Sequence, residues 1–340
     1  MPAQRKFPAR RKSARNLVPA AAAVLSLMAV AACGGPQAAT SRAPASHQDA
    51  ADPASAPRAA SGQASPAKPT SSPATSSSPG KGTTSSPSSS PAGQRAGGHG
   101  KACVTSADKG ACGPYNDPAV SGGSEPSVVQ DIWNPINGAS QTLTSSGPGD
   151  WSVSADMPAS NTAVVSYPDI QTLYTTTSDT PDPLTNFGSI TGSYTESGPA
   201  GAGVDWEAAY DIWAGAGTRN YAQEIMIWVD NHGQTPAGSK VGSATIDGVG
   251  YTIWSTGKAG AVSNPVSIVM NSNQASGSVN VLDDLNWLES NGYVPAGSGL
   301  NQIDFGWEIC STGGSPQTFT MSQYRLKASR QLPTVAWPTR

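Results

Sequence analysis

Two strand-like segments of this chain each carry a glutamate where a purely structural strand needs none. In residues 223–229, Glu224, Met226 and Trp228 alternate with three aliphatic residues. Side chains alternate between the two faces of a strand, so the aliphatic residues are expected to face a core and the other three to face away from it. An acid, a thioether and an indole do not make a typical solvent face.

The second segment, residues 303–310, repeats this arrangement. Its aliphatic and aromatic residues alternate with Asp304, Gly306, Glu308 and Cys310. Gly306 removes a side chain beside Glu308, which would leave room for a ligand to approach.

A third segment, residues 208–213, places Asp211 and Trp213 on one face and Tyr210 on the other. We expect Asp211 to lie next to Glu224, where it would hold that carboxylate and influence its pKa.

Paired carboxylates beside aromatic rings predict a particular chemistry. One carboxylate can act as a nucleophile or base and the other as a proton donor, while an indole stacks on the apolar face of a sugar ring. A lone glutamate on a strand usually just faces solvent, but two in matching surroundings indicate a carboxylate-pair site. We expect two further tryptophans, Trp254 and Trp287, to serve packing instead.

Composition excludes other classes. The chain has 340 residues, a formal net charge of -3 and 13% charged residues, so no basic patch indicates nucleic-acid binding. The three histidines, His47, His99 and His232, are scattered, and no zinc-binding spacing occurs, so no metal is expected.

The N-terminal third is predicted to be a leader and a tether. Residues 1–32 combine a basic start with an apolar stretch too short for an ordinary membrane span, as in an export signal. The residues ending at Cys33 resemble a bacterial lipobox, which implies lipidation of Cys33 and anchoring to the outer side of the cell membrane. The alternative is an ordinary secretory signal with a chance cysteine.

Residues 33–100 are rich in Ser, Pro, Ala, Thr and Gly and hold too few apolar groups to offset the entropy of ordering. We expect a disordered linker there, a folded domain over residues 101–330 and a tail over 331–340. Of the remaining cysteines, Cys103 and Cys112 are expected to form a disulfide worth about 2–3 kcal/mol, and Cys310 is expected to be a buried thiol.

Short β-prone runs separated by turn residues predict an all-β fold. Residues 244–254 contain Asp247-Gly248, which suits a type I′ hairpin turn, and residues 265–270 form a further candidate strand. Residues 281–291 have the apolar spacing of one short helix that stops at Asn291-Gly292. Many strands and one helix predict a two-sheet antiparallel β-sandwich of jelly-roll type.

At these segments the sequence resembles glycoside hydrolase family 12, the small jelly-roll endoglucanases and xyloglucanases. The matching pieces cover about residues 125–328 and are the nucleophile motif E-x-M-x-W at 224–228, Gly-aromatic-Glu at 306–308, A-Y-D-x-W at 209–213, S-Y-P at 166–168 and a loop at 234–238.

The resemblance implies a retaining endo-acting hydrolase of β-1,4-glucans that needs no cofactor. It implies Glu224 as nucleophile, Glu308 as acid/base and Asp211 as hydrogen-bond partner of the nucleophile, with Met226 and Trp228 beside the substrate. Trp133 matches a substrate-stacking tryptophan, although its polar neighbours differ from the family pattern. Cellulose, mixed-linkage glucan and xyloglucan remain open as substrates, and we expect a monomer.

Two alternatives remain at this point. A non-catalytic carbohydrate-binding jelly roll would keep the aromatic residues but would not need both Glu224 and Glu308. A jelly-roll xylanase would typically have a tyrosine-rich nucleophile strand, which the Met226 and Trp228 face does not resemble.

Overall fold

A computed structural model describes residues 102–175, 180–215, 223–257 and 264–331 of the chain. The expected leader, the lipidation site Cys33, the linker and all of the expected tail except its first residue lie outside the described residues. The expectations for these segments therefore stay predictions.

Nearly all regular structure in the described residues is β-strand. In chain order the strands are β1 (Cys103–Thr105), β2 (Ala111–Cys112), β3 (Val120–Ser121), β4 (Ser127–Val129), β5 (Ser140–Gly147), β6 (Asp150–Asp156), β7 (Asp169–Leu173), β8 (Asp182–Pro183), β9 (Phe187–Ser197), β10 (Val204–Gly215), β11 (Gln223–His232), β12 (Ser239–Ile246), β13 (Val249–Ser255), β14 (Val266–Met270), β15 (Ser276–Asn280), β16 (Gly299–Thr312) and β17 (Gln317–Arg330). A 3-10 turn at Leu184–Asn186 precedes β9, and the helix α1 (Val281–Ser290) precedes β16.

These strands form the predicted two-sheet sandwich. The larger sheet has the order β12-β13-β14-β11-β10-β16-β7-β4-β2, with β8 beside β16. The smaller sheet has the order β1-β5-β6-β17-β9-β15, with β3 beside β17. The expected antiparallel pairing holds for most neighbours, but the pairs β11–β14 and β3–β17 are parallel. Strands β11, β10 and β16 are adjacent at the centre of the larger sheet.

The core lies between the sheets and is built by alternation along each strand. Phe305 of β16 shows how tightly it is packed, because its ring lies 4.5 Å from that of Tyr210, 4.9 Å from Tyr194 and 5.7 Å from Tyr324. Truncating such a buried aromatic side chain to alanine typically costs about 3–5 kcal/mol. This packing fixes the side of the sheet to which the alternate residues of β10 and β16 point.

The predicted hairpin and helix are both present. β12 and β13 pair around Asp247 and Gly248, which have φ values of 47° and 81°, as a type I′ turn requires. Helix α1 buries its predicted apolar residues and ends before Gly292, whose φ of 75° suits a helix stop. Within the described ranges, no helix has the length and apolar character needed to cross a bilayer.

The cysteines agree with expectation in one case and not in the other. Cys103 and Cys112 form a disulfide with their Cα atoms 5.8 Å apart, which ties β1 to β2. Cys310 is buried, but its sulfur is disulfide-bonded, so the expectation of a free thiol at that position is wrong.

Candidate active site

Three adjacent strands carry the predicted carboxylates. Glu224 lies on β11, Asp211 on the central strand β10 and Glu308 on β16. The residues that alternate with them, such as Ile225 and Tyr210, belong to the core between the sheets. The three carboxylates therefore share the opposite side of the larger sheet, which we call the carboxylate face.

Strand register sets the relative positions of these side chains. On the shared neighbour β10, Glu224 lies opposite Trp213 and Glu308 lies opposite Glu207. Along β10, Asp211 lies between Glu207 and Trp213. It is a diagonal neighbour of Glu224, as the sequence predicts, and it lies between the two glutamates.

Glu224 is almost fully buried, with 2% of its surface exposed. Burial raises its pKa well above the usual range, and the charges of Asp211 and then Glu308 raise it further. Its Oε2 atom has no hydrogen-bond partner among the described residues. The carboxyl group is thus buried next to two other acids.

Asp211 is also buried and accepts a hydrogen bond from the indole Nε1 of Trp213 at 3.2 Å. Burial raises the pKa of Asp211 to about 7, although the Trp213 indole opposes the rise. Asp211 can therefore change its charge near neutral pH.

Glu308 receives a hydrogen bond from the side-chain amide of Gln234, whose Nε2 lies 3.1 Å from Oε2. Gln234 follows β11 and is held by Asn231, whose Nδ2 donates to the Gln234 carbonyl at 2.9 Å. Burial raises the pKa of Glu308 to about 8, with a further rise from the charge of Asp211 and an opposing effect from Gln234. At neutral pH Glu308 therefore holds a proton.

No cation balances this group of acids within the described parts of the chain. The two ion pairs found there join Lys109 to Asp131 and Arg330 to Asp182. Several buried carboxyls without a countercharge cannot all ionise together, so some must stay protonated at neutral pH. Nor does the described region contain a group of three or more His, Cys, Asp or Glu residues able to hold a metal ion.

Gly306 has a different role from the one expected. A Cβ atom at this position would lie 2.0 Å from the carbonyl oxygen of Pro168 and 2.7 Å from the Cα of Asp169. The space beside Glu308 that the missing side chain leaves is therefore filled by the neighbouring backbone, not reserved for a ligand. Glycine is required here so that the Pro168 segment can pack against β16.

Trp133 lies beside the Glu308 strand. Its half-buried ring packs with Val164 and with Cys310, which is two residues beyond Glu308 on the same face. Its indole Nε1 is buried without a hydrogen-bond partner among the described residues. The structure thus brings Trp133 near the carboxylates, as the sequence predicts.

The other predicted site residues form a second apolar group on this face. Met226 and Trp228 are each 2% exposed and cluster with Ala209 and Val269. On β11 they are two and four residues beyond Glu224 and share its face. Apolar groups therefore lie beside the Glu308 strand, in Trp133, and on the Glu224 strand, in Met226 and Trp228.

The two tryptophans expected to pack behave differently. Trp287 packs against the core and stacks on Tyr293 with ring centroids 5.9 Å apart, as expected. Trp254 on β13 instead pairs with Ser267 on β14, and Ser267 pairs in turn with Met226 on β11. Trp254 is thus half-buried on the carboxylate face and not in the core between the sheets, and its expected packing role stays a prediction.

Sequence reasoning missed Glu207, the buried residue opposite Glu308. Its pKa is raised well above the usual range by burial and then by the charge of Glu308. Glu207 stands four residues before Asp211, so the alternation that placed Asp211 on the carboxylate face could have placed Glu207 there too. Two other aspartates, Asp169 and Asp304, add to the acidic character of this face.

The fold and the carboxylate face together define a jelly-roll glycoside hydrolase. Residues 127–328 match the family model described as glycosyl hydrolase family 12, and the chain belongs to this family. The match spans the central strands and all three carboxylates described above.

Two curated proteins show sequence similarity. Endoglucanase A of Aspergillus kawachii is 31% identical over 129 residues, which cover 36% of this chain and 53% of that protein. Probable cellulase Cel12b of Mycobacterium tuberculosis is 40% identical over 53 residues, or 14% of this chain and 35% of that protein. The chain therefore spans about half or less of the length of these relatives.

Solved structures share the fold. The xyloglucanase domain of NopAA from Sinorhizobium fredii, in complex with cellobiose, superposes with a TM-score of 0.55 at 23% identity, covering 67% of this chain and 99% of that one. The native family 12 xyloglucanase from Bacillus licheniformis gives a TM-score of 0.54 at 21% identity, covering 67% of this chain and 100% of that one. At these identities the likeness concerns the fold alone.

Proposed function

We propose that this protein is a retaining endo-acting glycoside hydrolase that cleaves β-1,4-glucosidic bonds in glucans. The observation that carries the proposal is the grouping of Glu224, Asp211 and Glu308 on three adjacent strands, buried on one face with no countercharge among the described residues. Family membership and the names of the relatives, endoglucanase, cellulase and xyloglucanase, support the substrate class.

The first step forms a bond between the enzyme and the sugar. The Glu224 carboxylate attacks the anomeric carbon while Glu308 gives its proton to the glycosidic oxygen, so the bond between that carbon and oxygen breaks. The shortened glucan leaves with a new hydroxyl group. Direct attack of this kind requires carboxyl groups about 5–5.5 Å apart, whereas an inverting enzyme needs room for a water between them.

The second step releases the sugar. Glu308, now a carboxylate, takes a proton from a water molecule as that water attacks the anomeric carbon. The bond to Glu224 breaks, and both glutamates return to their starting states. Two displacements at the same carbon leave its configuration unchanged.

The scheme requires one protonated and one ionised glutamate at the start. Glu308 must start protonated, which its pKa of about 8 provides. Glu224 must start ionised although burial and its neighbours raise its pKa. Asp211 is the neighbour that raises it most, so a proton on Asp211 removes that like charge and lets Glu224 ionise.

The aromatic groups on the carboxylate face would bind the sugar rings. Trp133 is the candidate for stacking on a glucose unit, and Met226 and Trp228 border the site on the Glu224 side. Hydroxyl-rich glucan also suits the many carboxyl and amide oxygens of this face, because each can accept hydrogen bonds from sugar hydroxyls.

We also propose secretion with a lipid anchor at Cys33, a disordered linker over residues 33–100 and a monomeric enzyme. A lipid on the Cys33 sulfur would leave Cys310 as a thiol in the anchored form of the protein. Support for these points comes from the sequence alone. Cys33→Ser should move the protein from the membrane fraction of a bacterial host to the soluble fraction. Wild type found wholly in the soluble fraction would overturn the anchor.

A reducing-sugar assay on cellulose, mixed-linkage glucan and xyloglucan tests the enzymatic proposal. We expect wild type to cleave at least one of them, and Glu224→Gln and Glu308→Gln each to lose activity by at least about a thousandfold. Glu125→Gln, at an exposed position outside the site, is the matched control and should keep full activity. Binding of glucan without any cleavage would instead identify a non-catalytic carbohydrate-binding protein.

A further inference from the structure

Glu196 is a carboxyl group in the core between the two sheets. It belongs to β9 of the smaller sheet, is only 4% exposed, and accepts a hydrogen bond at 2.9 Å from the indole Nε1 of Trp307 on β16. A carboxyl group is costly to bury unless its hydrogen bonds are satisfied. Trp307 directly precedes Glu308, so this cross-sheet bond ends one residue from the proposed acid/base.

A second set of contacts leads from Glu196 to the same place. Glu196 lies near Asp230 of β11, whose charge adds to the rise in the pKa of Glu196. The Oδ1 atom of Asp230 accepts the backbone N–H of Asn231 at 2.7 Å, and Asn231 in turn holds the carbonyl of Gln234 at 2.9 Å. The side chain of Gln234 donates to Glu308. Both contact routes therefore start at Glu196 and end at the acid/base.

The Trp307 ring is closely packed, so its contact with Glu196 helps to fix the position of the strand that carries Glu308. The ring is fully buried, and its centroid lies 4.9 Å from that of Trp151 and 5.6 Å from that of Phe319. Its only polar atom is the indole N–H, which bonds to Glu196. Loss of that acceptor would leave a buried N–H unsatisfied and favour a small shift of the strand that carries Glu308.

We propose that Glu196 is a positioning residue for Glu308 and acts through both Trp307 and the Asp230–Gln234 contacts. The proposal rests on the function proposed above and deepens it. The role of Glu196 is to set the direction in which Glu308 presents its proton to the glycosidic oxygen, not to contact the substrate.

The protonation state of Glu196 fits this role. Burial raises the pKa of Glu196 to about 8, with the Trp307 N–H opposing and Asp230 adding to the rise. Tyr194, on the same strand, is the other titratable group near this pair, and burial and both carboxyls raise its pKa. A neutral carboxyl donates and accepts at once, and a glutamine side chain can do the same.

The test compares Glu196→Gln, Glu196→Met and Trp307→Phe on two substrates, cellotetraose and an activated aryl cellobioside. The aryl leaving group needs little protonation, so errors in the position of Glu308 should affect it less. We expect Glu196→Met to lower kcat/KM about tenfold on cellotetraose but less than about threefold on the aryl substrate. Glu196→Gln should stay within about twofold of wild type on both.

Trp307→Phe should give the same selective loss as Glu196→Met, and the double variant should lose little more than either single one. If Glu196→Met does not fold, Trp307→Phe and Glu196→Gln decide the question. Equal losses on both substrates, or Glu196→Gln as impaired as the methionine variant, would overturn the proposal.

A second readout does not depend on activity. The indole N–H resonance of Trp307 in proton–nitrogen NMR spectra should be nearly unchanged in Glu196→Gln and shifted in Glu196→Met. Wild type that cleaves neither substrate would refute the proposed function. An indole resonance that is unchanged in both Glu196→Gln and Glu196→Met would refute the Glu196–Trp307 hydrogen bond on which this inference depends, whether or not the enzyme is active.

Discussion

Glu207 and Glu308 lie directly opposite each other on the adjacent strands β10 and β16, and both are buried. Residues opposite each other on the same face of paired strands have Cβ atoms about 4.5–5.5 Å apart. Two carboxyl groups so placed cannot both ionise readily. Glu207 is fully buried and its oxygens have no hydrogen-bond partner among the described residues, whereas Glu308 receives the Gln234 amide. Glu207 should therefore keep its proton while Glu308 exchanges its own.

A neutral Glu207 predicts the effect of Glu207→Gln. Because one uncharged side chain replaces another of similar shape, the alkaline limb of kcat/KM against pH should stay within about 0.3 pH units of wild type. The measurement is a pH profile on a soluble β-glucan. An alkaline limb displaced to lower pH by about one unit or more would mean that Glu207 is ionised and contradict this assignment.

Asp211→Asn should behave differently. The charge of Asp211 raises the pKa values of both Glu224 and Glu308, so its removal lowers both. Glu308 then loses its proton at lower pH, and the alkaline limb of the pH profile should move to lower pH. We expect kcat/KM at its optimum to fall about tenfold or more, because the change disturbs the protonation of both glutamates. A profile whose alkaline limb does not move would show that Asp211 and Glu308 are not coupled.

Stability should decrease as the pH rises from acidic to alkaline. Burial is the main cause that raises the pKa values of Glu196 and Glu308 to about 8 and that of Asp284 to about 7, while the same groups titrate near 4 in an unfolded chain. The folded state thus binds more protons in this interval, and the stability they contribute is full below about pH 4 and lost as the pH rises through about 7 to 8.

Calorimetry provides the measurement. We expect Tm at about pH 9 to be at least about 5 °C below that at about pH 5. Asp284→Asn should reduce this difference because asparagine cannot ionise, and the exposed control Glu125→Gln should leave it unchanged. A Tm that is constant or rises over this interval would contradict the folded-state protonation described here.

Trp133→Ala should weaken binding of long oligosaccharides more than it weakens folding, because the ring is only half-buried and flanks the carboxylates. We expect KM for cellopentaose to rise about tenfold while Tm falls by only a few degrees, since stacking of a flat ligand face on an aromatic ring is on the order of 1–3 kcal/mol. The packing residue Trp287 is the comparison: Trp287→Ala should lower Tm and leave KM nearly unchanged. Equal kinetics on short and long substrates would make Trp133 a packing residue as well.

The features predicted from sequence are those set by local periodicity. The faces of β10, β11 and β16 follow from a repeat of two residues, so Asp211, Glu224 and Glu308 could be assigned to one side of the sheet before any pairing was known. The Asp247-Gly248 turn and helix α1 are likewise encoded in a few consecutive residues.

What could not be predicted depends on contacts between distant segments. The Glu207–Glu308 pair requires the register of β10 against β16, which are about a hundred residues apart in sequence. The expectation for Gly306 is wrong because the Pro168 backbone that fills its space is far away in the chain. The face on which Trp254 lies likewise depends on the pairing of β13 with β14.

The assignment of Glu224 as nucleophile and Glu308 as acid/base is tested most directly by azide rescue with product anomers read by proton NMR. Glu224→Ala should be inactive on an aryl cellobioside and, with azide, give the α-glycosyl azide, because the small anion attacks once from the vacated side. Glu308→Ala should form the glycosyl enzyme from the same substrate and, with azide, give the β-glycosyl azide after two displacements. The same anomer from both variants, or glucan hydrolysis at the wild-type rate by either one, would contradict the two roles.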